Sequence, residues 1–286
     1  MGIIFILISG ASFGLLPWFA RIAYDHGTEP LGMLAVRFTF ASVLLLIAHR
    51  IRNTEAPRPD KKLSIQLFLL GAIGYAPQAT FFFFGVERID TSLATVIFYT
   101  YPVFVVLASW LVFKHRPSVR MAVCLIAAVI GTALTAGQVA SGSWLGVALM
   151  FGASTWYTGY ILISSKIVGK AGAFVSLTYV MVGAATAHLA LLAILQPTLP
   201  QDGTGWLAVC AAAIVSTVIA MGFFFAGVSR IGPGEAAVFS TIEPVVSIAV
   251  GVLALNEQLT TARFLGALFV LGSVAVLAQL SRADTK

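Results

Sequence analysis

Two charged residues, Glu243 and Arg37, interrupt long apolar stretches of the sequence. A charge within such a stretch is costly, and it usually faces a partner or a water-filled cavity. A carboxylate at position 243 could bind a substrate ammonium, carry a proton or pair with Arg37, and the sequence leaves these roles open. His188 lies midway along another apolar stretch, where it could carry a proton or hydrogen-bond between two helices.

Tyrosine and tryptophan are the second group of candidate binding residues. Their rings offer flat apolar walls with one polar atom, which suits aromatic solutes and cations held over a ring. Tryptophans can instead anchor helices at a membrane interface, which is the interpretation for Trp144 and Trp206. The predicted binding residues are Trp18, Tyr75, Gln78, Tyr99, Tyr101, Trp156, Tyr157, Tyr160, Ser240 and Glu243.

Two prolines within apolar stretches, Pro102 and Pro244, are candidate gating residues. Proline removes a backbone hydrogen bond from a helix interior and bends it. The alternative is a harmless kink, since proline is common in membrane helices. Their equivalent positions in two halves of the chain favour a paired gating role.

Membrane-spanning helices are the elements that must position these residues. The 286 residues are 59% hydrophobic and 10% charged, with a mean hydropathy of +0.97. Soluble domains carry about a quarter charged residues, so this composition excludes a soluble enzyme, a disordered chain and a secreted disulfide scaffold. The sequence predicts an all-α integral membrane protein with ten transmembrane helices. We place them near residues 3–24, 30–49, 64–86, 91–113, 119–138, 144–166, 173–195, 204–229, 234–255 and 262–281.

The positive charges predict the orientation of the chain. With both termini in the cytoplasm, the inner loops and the tail hold 13 of the 17 Lys and Arg residues. Cytoplasmic loops carry such an excess, so we expect this topology. The 13 residues are Arg50, Arg52, Arg58, Lys61, Lys62, Lys114, Arg116, Arg120, Lys166, Lys170, Arg230, Arg282 and Lys286.

An internal repeat divides the chain. A shift of 142 residues superposes the sequence 81–89 on 223–231, including a shared Gly-Val-x-Arg-Ile, and aligns Pro102 with Pro244. The predicted domains are two five-helix repeats, 1–139 and 140–286. Because five is odd, the second repeat enters the membrane from the opposite side, which makes the pair inverted repeats of the kind found in secondary transporters.

The same residues carry a family resemblance that covers nearly the whole chain. The chain resembles the drug/metabolite transporter superfamily, specifically ten-helix exporters built from two EamA domains. The motifs that carry it are Arg37-Phe38, Thr100-Tyr101-Pro102-Val103, Ile242-Glu243-Pro244-Val245, and the run from Leu255 to Thr260 followed by Gly266 and Gly272. Within the superfamily the chain is similar to the aromatic amino acid exporters.

The resemblance implies an exporter of small metabolites that works by alternating access, with aromatic or other apolar amino acids as the expected substrates. Small multidrug pumps of this superfamily carry an acidic residue in the first span, and none stands between Met1 and Tyr24, so a uniporter is expected. The alternative is a proton-coupled efflux carrier for drugs or cationic compounds. A third class, an intramembrane enzyme, lacks convergent catalytic groups, so the chain is not expected to be an enzyme.

The expected partners are the lipid bilayer and a small-molecule substrate. We expect a monomer in the bacterial cytoplasmic membrane, with no cofactor, no metal site and no nucleic-acid partner. Neither Cys124 nor Cys210 has metal-ligand spacing.

Overall fold

The computed structural model describes residues 1–51, 59–101, 103–105, 107–108, 119–136, 143–240 and 242–283. All regular structure in these ranges is helical, which confirms the all-α prediction. Because hydrocarbon offers no hydrogen-bond partners to the backbone, apolar segments of this length satisfy their own N–H and C=O groups as helices. The helices are α1 Gly2–Gly14, α2 Leu16–Asp25, α3 Pro30–Ile51, α4 Lys61–Leu69, α5 Ala76–Arg88, α6 Thr91–Phe98, α7 Val119–Ala136, α8 Trp144–Ala171, α9 Ala173–Leu195, α10 Gly203–Ala213, α11 Ala220–Phe239, α12 Ile242–Leu255 and α13 Thr261–Ala283.

Six helical segments in the described part of the chain are long and apolar enough to cross a membrane. Three shorter apolar helices accompany them, at Thr91–Val105, Ile242–Leu255 and Thr261–Ser273. The count of ten spanning helices therefore stays a prediction, whereas a multi-pass membrane protein follows directly from these segments.

Two π-helical segments interrupt long helices at corresponding places. Leu70–Tyr75 joins α4 to α5, and Ile214–Ile219 joins α10 to α11. π-helical segments are rare in proteins, and those that occur are often found at functional sites. The Ser216 hydroxyl donates to the carbonyl oxygen of Ser12 at 2.6 Å, and the Trp156 indole N–H donates to that of Ile73 at 3.1 Å. Each π segment is thus hydrogen-bonded to the first helix of the other half.

Glycines let α1 of the first half pack closely on α11 of the second half, and α8 of the second half pack closely on α5 of the first. A Cβ added at Gly2 would lie 2.4 Å from Ile231 Cγ2, and one added at Gly146 would lie 2.7 Å from Ile89 Cγ2. The same pairing recurs one turn along, where Gly227 faces Ile6 as Gly85 faces Met150. The two halves therefore exchange equivalent contacts, and one apolar core cluster extends across both.

Pro244 stands at the beginning of a helix, and here the structure differs from the expected mid-helix bend. It is the third residue of α12, which begins at Ile242. The first N–H groups of a helix have no intrahelical acceptor, so proline there costs no hydrogen bond. The premise that Pro244 removes a hydrogen bond inside a helix is therefore wrong.

A second difference concerns the predicted break between residues 229 and 234. The helical backbone of α11 runs through Gly232-Pro233-Gly234 to Phe239, and the next helix begins at Ile242. The residue before a proline usually leaves the helical region because its Cβ clashes with the proline ring. A glycine at position 232 brings no Cβ to this position, so one of the two sources of that clash is missing from the sequence.

Candidate functional site

The Glu243 carboxylate is held by a tyrosine from the other half of the chain. Tyr99, the residue that directly follows α6, donates its hydroxyl to Glu243 Oε2 at 2.7 Å and approaches the carbonyl oxygen of Ser240 at 3.3 Å. Tyr99 is only 3% exposed, whereas Glu243 is partly buried. A Cβ at Gly14 of α1 would lie 2.6 Å from the Glu243 carbonyl oxygen, so α1 packs directly behind this residue.

Five tyrosines form a continuous chain of rings that begins at Glu243. Ring centroids are 5.8 Å apart for Tyr99 and Tyr101, and 4.9 Å apart for Tyr101 and Tyr157. The chain continues from Tyr157 to Tyr160 at 5.6 Å and from Tyr160 to Tyr75 at 5.4 Å. We call these five residues the tyrosine chain. Because Tyr157 and Tyr160 lie on α8 of the second half, the chain exists only where the two halves meet.

The chemistry of this arrangement suits a solute with a positive charge and an apolar body. Aromatic faces attract cations and pack against flat apolar groups. Among the described residues, no Lys, Arg or His lies within ion-pair distance of the Glu243 carboxylate. The carboxylate therefore keeps its capacity to accept from a bound ammonium.

Arg37 lies apart from Glu243, so the ion pair between them that the sequence allowed is not formed. The Arg37 side chain is 1% exposed, and its Nε donates to Thr217 Oγ1 in the second π segment at 2.9 Å. Its guanidinium carbon lies 5.0 Å from the Phe38 ring centroid and 5.3 Å from that of Phe83. No carboxylate of the described residues is within ion-pair distance. Aromatic faces and a hydroxyl thus compensate the buried charge.

His188 has a partner for each ring nitrogen. Nδ1 lies 2.9 Å from the Ala184 carbonyl oxygen, and Nε2 lies 3.2 Å from Thr80 Oγ1. Nδ1–H of a neutral ring donates to the carbonyl oxygen, and the Thr80 hydroxyl, which also lies 2.9 Å from the Ala76 carbonyl oxygen, shares its one proton between that oxygen and Nε2. The contact with Thr80 joins α9 to α5, and it is the hydrogen bond between helices that was one of the two expected roles of His188.

The remaining predicted site residues lie outside the tyrosine chain. Trp156 is 42% exposed and packs edge-on against Phe81, at a centroid distance of 6.2 Å. Trp18 is partly buried against Phe19, and Gln78 is buried on α5. Ser240 contributes its carbonyl oxygen, which accepts from the Glu243 backbone N–H at 3.0 Å. Pro102, the other candidate gating residue, lies outside the described residues.

A cavity of about 780 Å³ opens beside the tyrosine chain, between α8 and the helical run that contains the first π segment. Tyr160 contributes to its wall, as do Trp156 and the exposed Ile73 and Ile163. A Cβ at Gly159 would meet no atom within 4 Å, so this glycine leaves part of the space empty. Tyr160 thereby belongs both to the cavity wall and to the tyrosine chain.

Sequence reasoning missed the structural role of Glu257. Its carboxylate accepts from the backbone N–H groups of Thr91 and Ser92 at 2.5 Å and 3.0 Å, and from the Ser92 hydroxyl at 2.5 Å. It thus caps α6 from the opposite half. The sequence holds no local signal for this contact, because the donors are backbone N–H groups far away along the chain.

Further contacts join segments at the same end of the molecule as Glu257. Arg21 donates to the carbonyl oxygens of Val86 and Ile89 at 2.9 Å and 3.0 Å. Asp202 accepts from the Gly205 N–H at 2.8 Å and lies 2.6 Å from His26 Nδ1. The Gly205 hydrogen bond, followed by the His26 contact, lowers the pKa of the Asp202 carboxyl, so this exposed capping contact persists at neutral pH.

The molecule has helices that cross a membrane, two halves that exchange equivalent contacts, and a polar aromatic site between these halves. These features define a multi-pass membrane protein of the transporter type. The chain belongs to the EamA-like transporter family, which matches residues 1–137 and 144–279. That family lies in the drug/metabolite transporter superfamily, as the sequence motifs predicted.

The relatives of the chain are described as transporters. It is 25% identical over 280 residues to the uncharacterized transporter YcbK of Bacillus subtilis, covering 93% of this chain and 88% of that protein. It is 24% identical over 260 residues to the uncharacterized inner membrane transporter YicL of Salmonella typhimurium, covering 86% and 84%. A solved crystal structure has the same fold, with a TM-score of 0.70 and 18% identity over 100% of this chain and 99% of that one.

Proposed function

We propose that the protein exports small amino-group-bearing metabolites, with aromatic and other apolar amino acids as its main substrates. The observation that carries this proposal is the Glu243 carboxylate, which has no cationic partner among the described residues and stands at one end of the tyrosine chain. In this site Glu243 accepts from the substrate ammonium, and the contacting rings of Tyr101 and Tyr157 together form one wall against its apolar side chain.

Alternating access between two inverted five-helix repeats, 1–139 and 140–286, is the proposed mechanism. The reciprocal glycine contacts and the two family matches support this division. The interruption between α11 and α12, directly before Glu243, supports a hinge beside the site. The proposed location is the cytoplasmic membrane of a bacterium, which the name of the inner-membrane relative supports. The distribution of Lys and Arg supports a topology with both termini in the cytoplasm.

Uniport is the proposed energetic mode. No acidic residue stands between Met1 and Tyr24, and the first span is hydrogen-bonded at the second π segment through the Ser12 carbonyl oxygen rather than through a titratable group. The substrate gradient would then drive export alone.

Efflux of organic cations is the second candidate function, because the same carboxylate and aromatic faces also suit a cation without a carboxylate. The two functions differ in what they require of the substrate, and three related solutes separate them. Phenylalanine is a zwitterion, phenylalaninamide is a cation without the carboxylate, and 3-phenylpropionate lacks the amino group.

The test is efflux from proteoliposomes loaded with each radiolabelled solute, with and without a pH gradient. Amino acid export predicts efflux of phenylalanine that needs no pH gradient and no efflux of phenylpropionate. Cation efflux predicts that phenylalaninamide leaves faster than phenylalanine and that an opposing proton gradient accelerates it. Failure of all three solutes, together with a panel of aliphatic amino acids, would refute both.

A further inference from the structure

Three polar contacts at regular spacing join α6 of the first half to α12 and its following turn in the second half. At the innermost, Tyr99 donates to Glu243; in the middle, the hydroxyls of Thr95 and Ser247 lie 2.7 Å apart. At the third, Glu257 caps the N-terminus of α6. We call this set the polar seam.

The helical register explains why these contacts form a line. Residues 91, 95 and 99 are spaced by four and share one face of α6, as 243, 247 and 251 share one face of α12. The two helices run antiparallel along this line, because the last residue of one series faces the first residue of the other. Thr95 and Ser247 are buried, so the middle contact of the seam is shielded from solvent in this state.

The turn after α12 is shaped to bring Glu257 to the seam. Asn256 has a positive φ of 54°, a conformation that asparagine tolerates, and the Glu257 N–H donates back to the Gly251 carbonyl oxygen at 3.0 Å. A Cβ at Gly251 would lie 2.5 Å from Glu257 Oε2, so the absent side chain makes room for the carboxylate. Beside it, Arg263 lies 2.5 Å from Asp90, which directly precedes α6.

We propose that the polar seam is the gate at this end of the transporter and that Glu257 is its latch. Opening a path from this end to Glu243 requires α6 and α12 to separate, which breaks the three contacts in order from Glu257 inward. Since Glu243 is the innermost contact, a substrate ammonium that draws its carboxylate away from Tyr99 weakens the seam from within. Occupation of the site is thereby coupled to release at this end, which is the outer end in the proposed orientation.

The latch is the position to perturb, because it lies outside the substrate site. Glutamine at 257 keeps one acceptor oxygen but loses the charge and the second acceptor. Hydrogen bonds to charged groups contribute about 1.5–3 kcal/mol, which corresponds to about tenfold or more in the population of the open state. The matched control is Glu29→Gln, because Glu29 also accepts a backbone N–H across the halves, from Thr198 at 3.0 Å, away from the seam.

The reporter is Ser247→Cys in a background with Cys124 and Cys210 replaced by serine. Both variants and their parent carry it, so its own effect on the Thr95 contact is common to all three and cancels in the comparison. A charged, membrane-impermeant maleimide is added to intact cells and to inverted membrane vesicles, and the labelling rate is measured. Glu257→Gln is expected to raise labelling about tenfold in intact cells, whereas Glu29→Gln leaves it unchanged. Equal labelling of the two variants would overturn the proposal. A rise confined to inverted vesicles would support the gate and overturn the proposed orientation.

A cross-link keeps the proposal testable if Glu257→Gln does not fold. Thr95 Oγ1 and Ser247 Oγ lie 2.7 Å apart on two short side chains, so cysteines at these two positions are suitably placed for a disulfide. Oxidation is expected to stop solute efflux and reductant to restore it; efflux that continues in the oxidised protein would overturn the proposal. The gate rests on the proposed transport function, but the labelling test needs no substrate. A labelling rise in a protein that moves none of the tested solutes would support the gate and overturn the substrate assignment alone.

Discussion

Replacing Glu243 by glutamine tests the role of the carboxylate most directly. Glutamine is nearly isosteric and can still accept from the Tyr99 hydroxyl, now 2.7 Å from the carboxylate, so the local packing is retained. What it loses is the negative charge opposite a substrate ammonium. A charge-assisted hydrogen bond contributes about 1.5–3 kcal/mol, so KM for a zwitterionic substrate is expected to rise about 10- to 150-fold.

The assay is concentration-dependent efflux of labelled phenylalanine from proteoliposomes. The control is Glu87→Gln, because Glu87 pairs with the adjacent Arg88 and has no contact with the tyrosine chain. Both variants should unfold at the same temperature in detergent, which separates a binding effect from a folding defect. A KM for Glu243→Gln within about twofold of the parent, with the same unfolding temperature, would refute the assignment of Glu243 to the ammonium.

Two further predictions concern stability. Gly71→Ala should lower the free energy of unfolding by about 1–3 kcal/mol, because the new Cβ would lie 2.0 Å from a backbone oxygen of α9. Gly159→Ala should be neutral or stabilising by up to about 1 kcal/mol, since its Cβ meets no atom within 4 Å. Equal unfolding temperatures for the two variants in detergent would contradict this close contact of Gly71 with α9. Thr217→Val should lower the free energy of unfolding by about 1–3 kcal/mol, because it leaves the buried Arg37 Nε without its hydroxyl partner. The control is Thr186→Val, which removes an exposed hydroxyl. An unfolding temperature for Thr217→Val equal to that of the control would show that Arg37 does not depend on this hydrogen bond.

The sequence by itself determined the class of protein. Apolar runs long enough to span a bilayer, with few charges between them, permit helices and exclude a soluble fold. The motifs around Arg37, Glu243 and Leu255 were sufficient for the family, which the match over both halves confirms. Residue type within an apolar stretch made Tyr157 and Tyr160 candidate binding residues, but their spacing alone did not join them in one chain of rings.

Only the tertiary structure decided which faces meet. Glu243 contacts Tyr99 rather than Arg37, and Arg37 contacts Thr217, although the sequence allowed the ion pair equally well. Glu257 caps a helix 165 residues away, and no local pattern specifies a partner at that separation. The physical reason is that periodicity orients a side chain around its own helix axis, whereas the choice of neighbour depends on close helix packing. Here that packing is set by glycines that let α1 and α8 approach the opposite half.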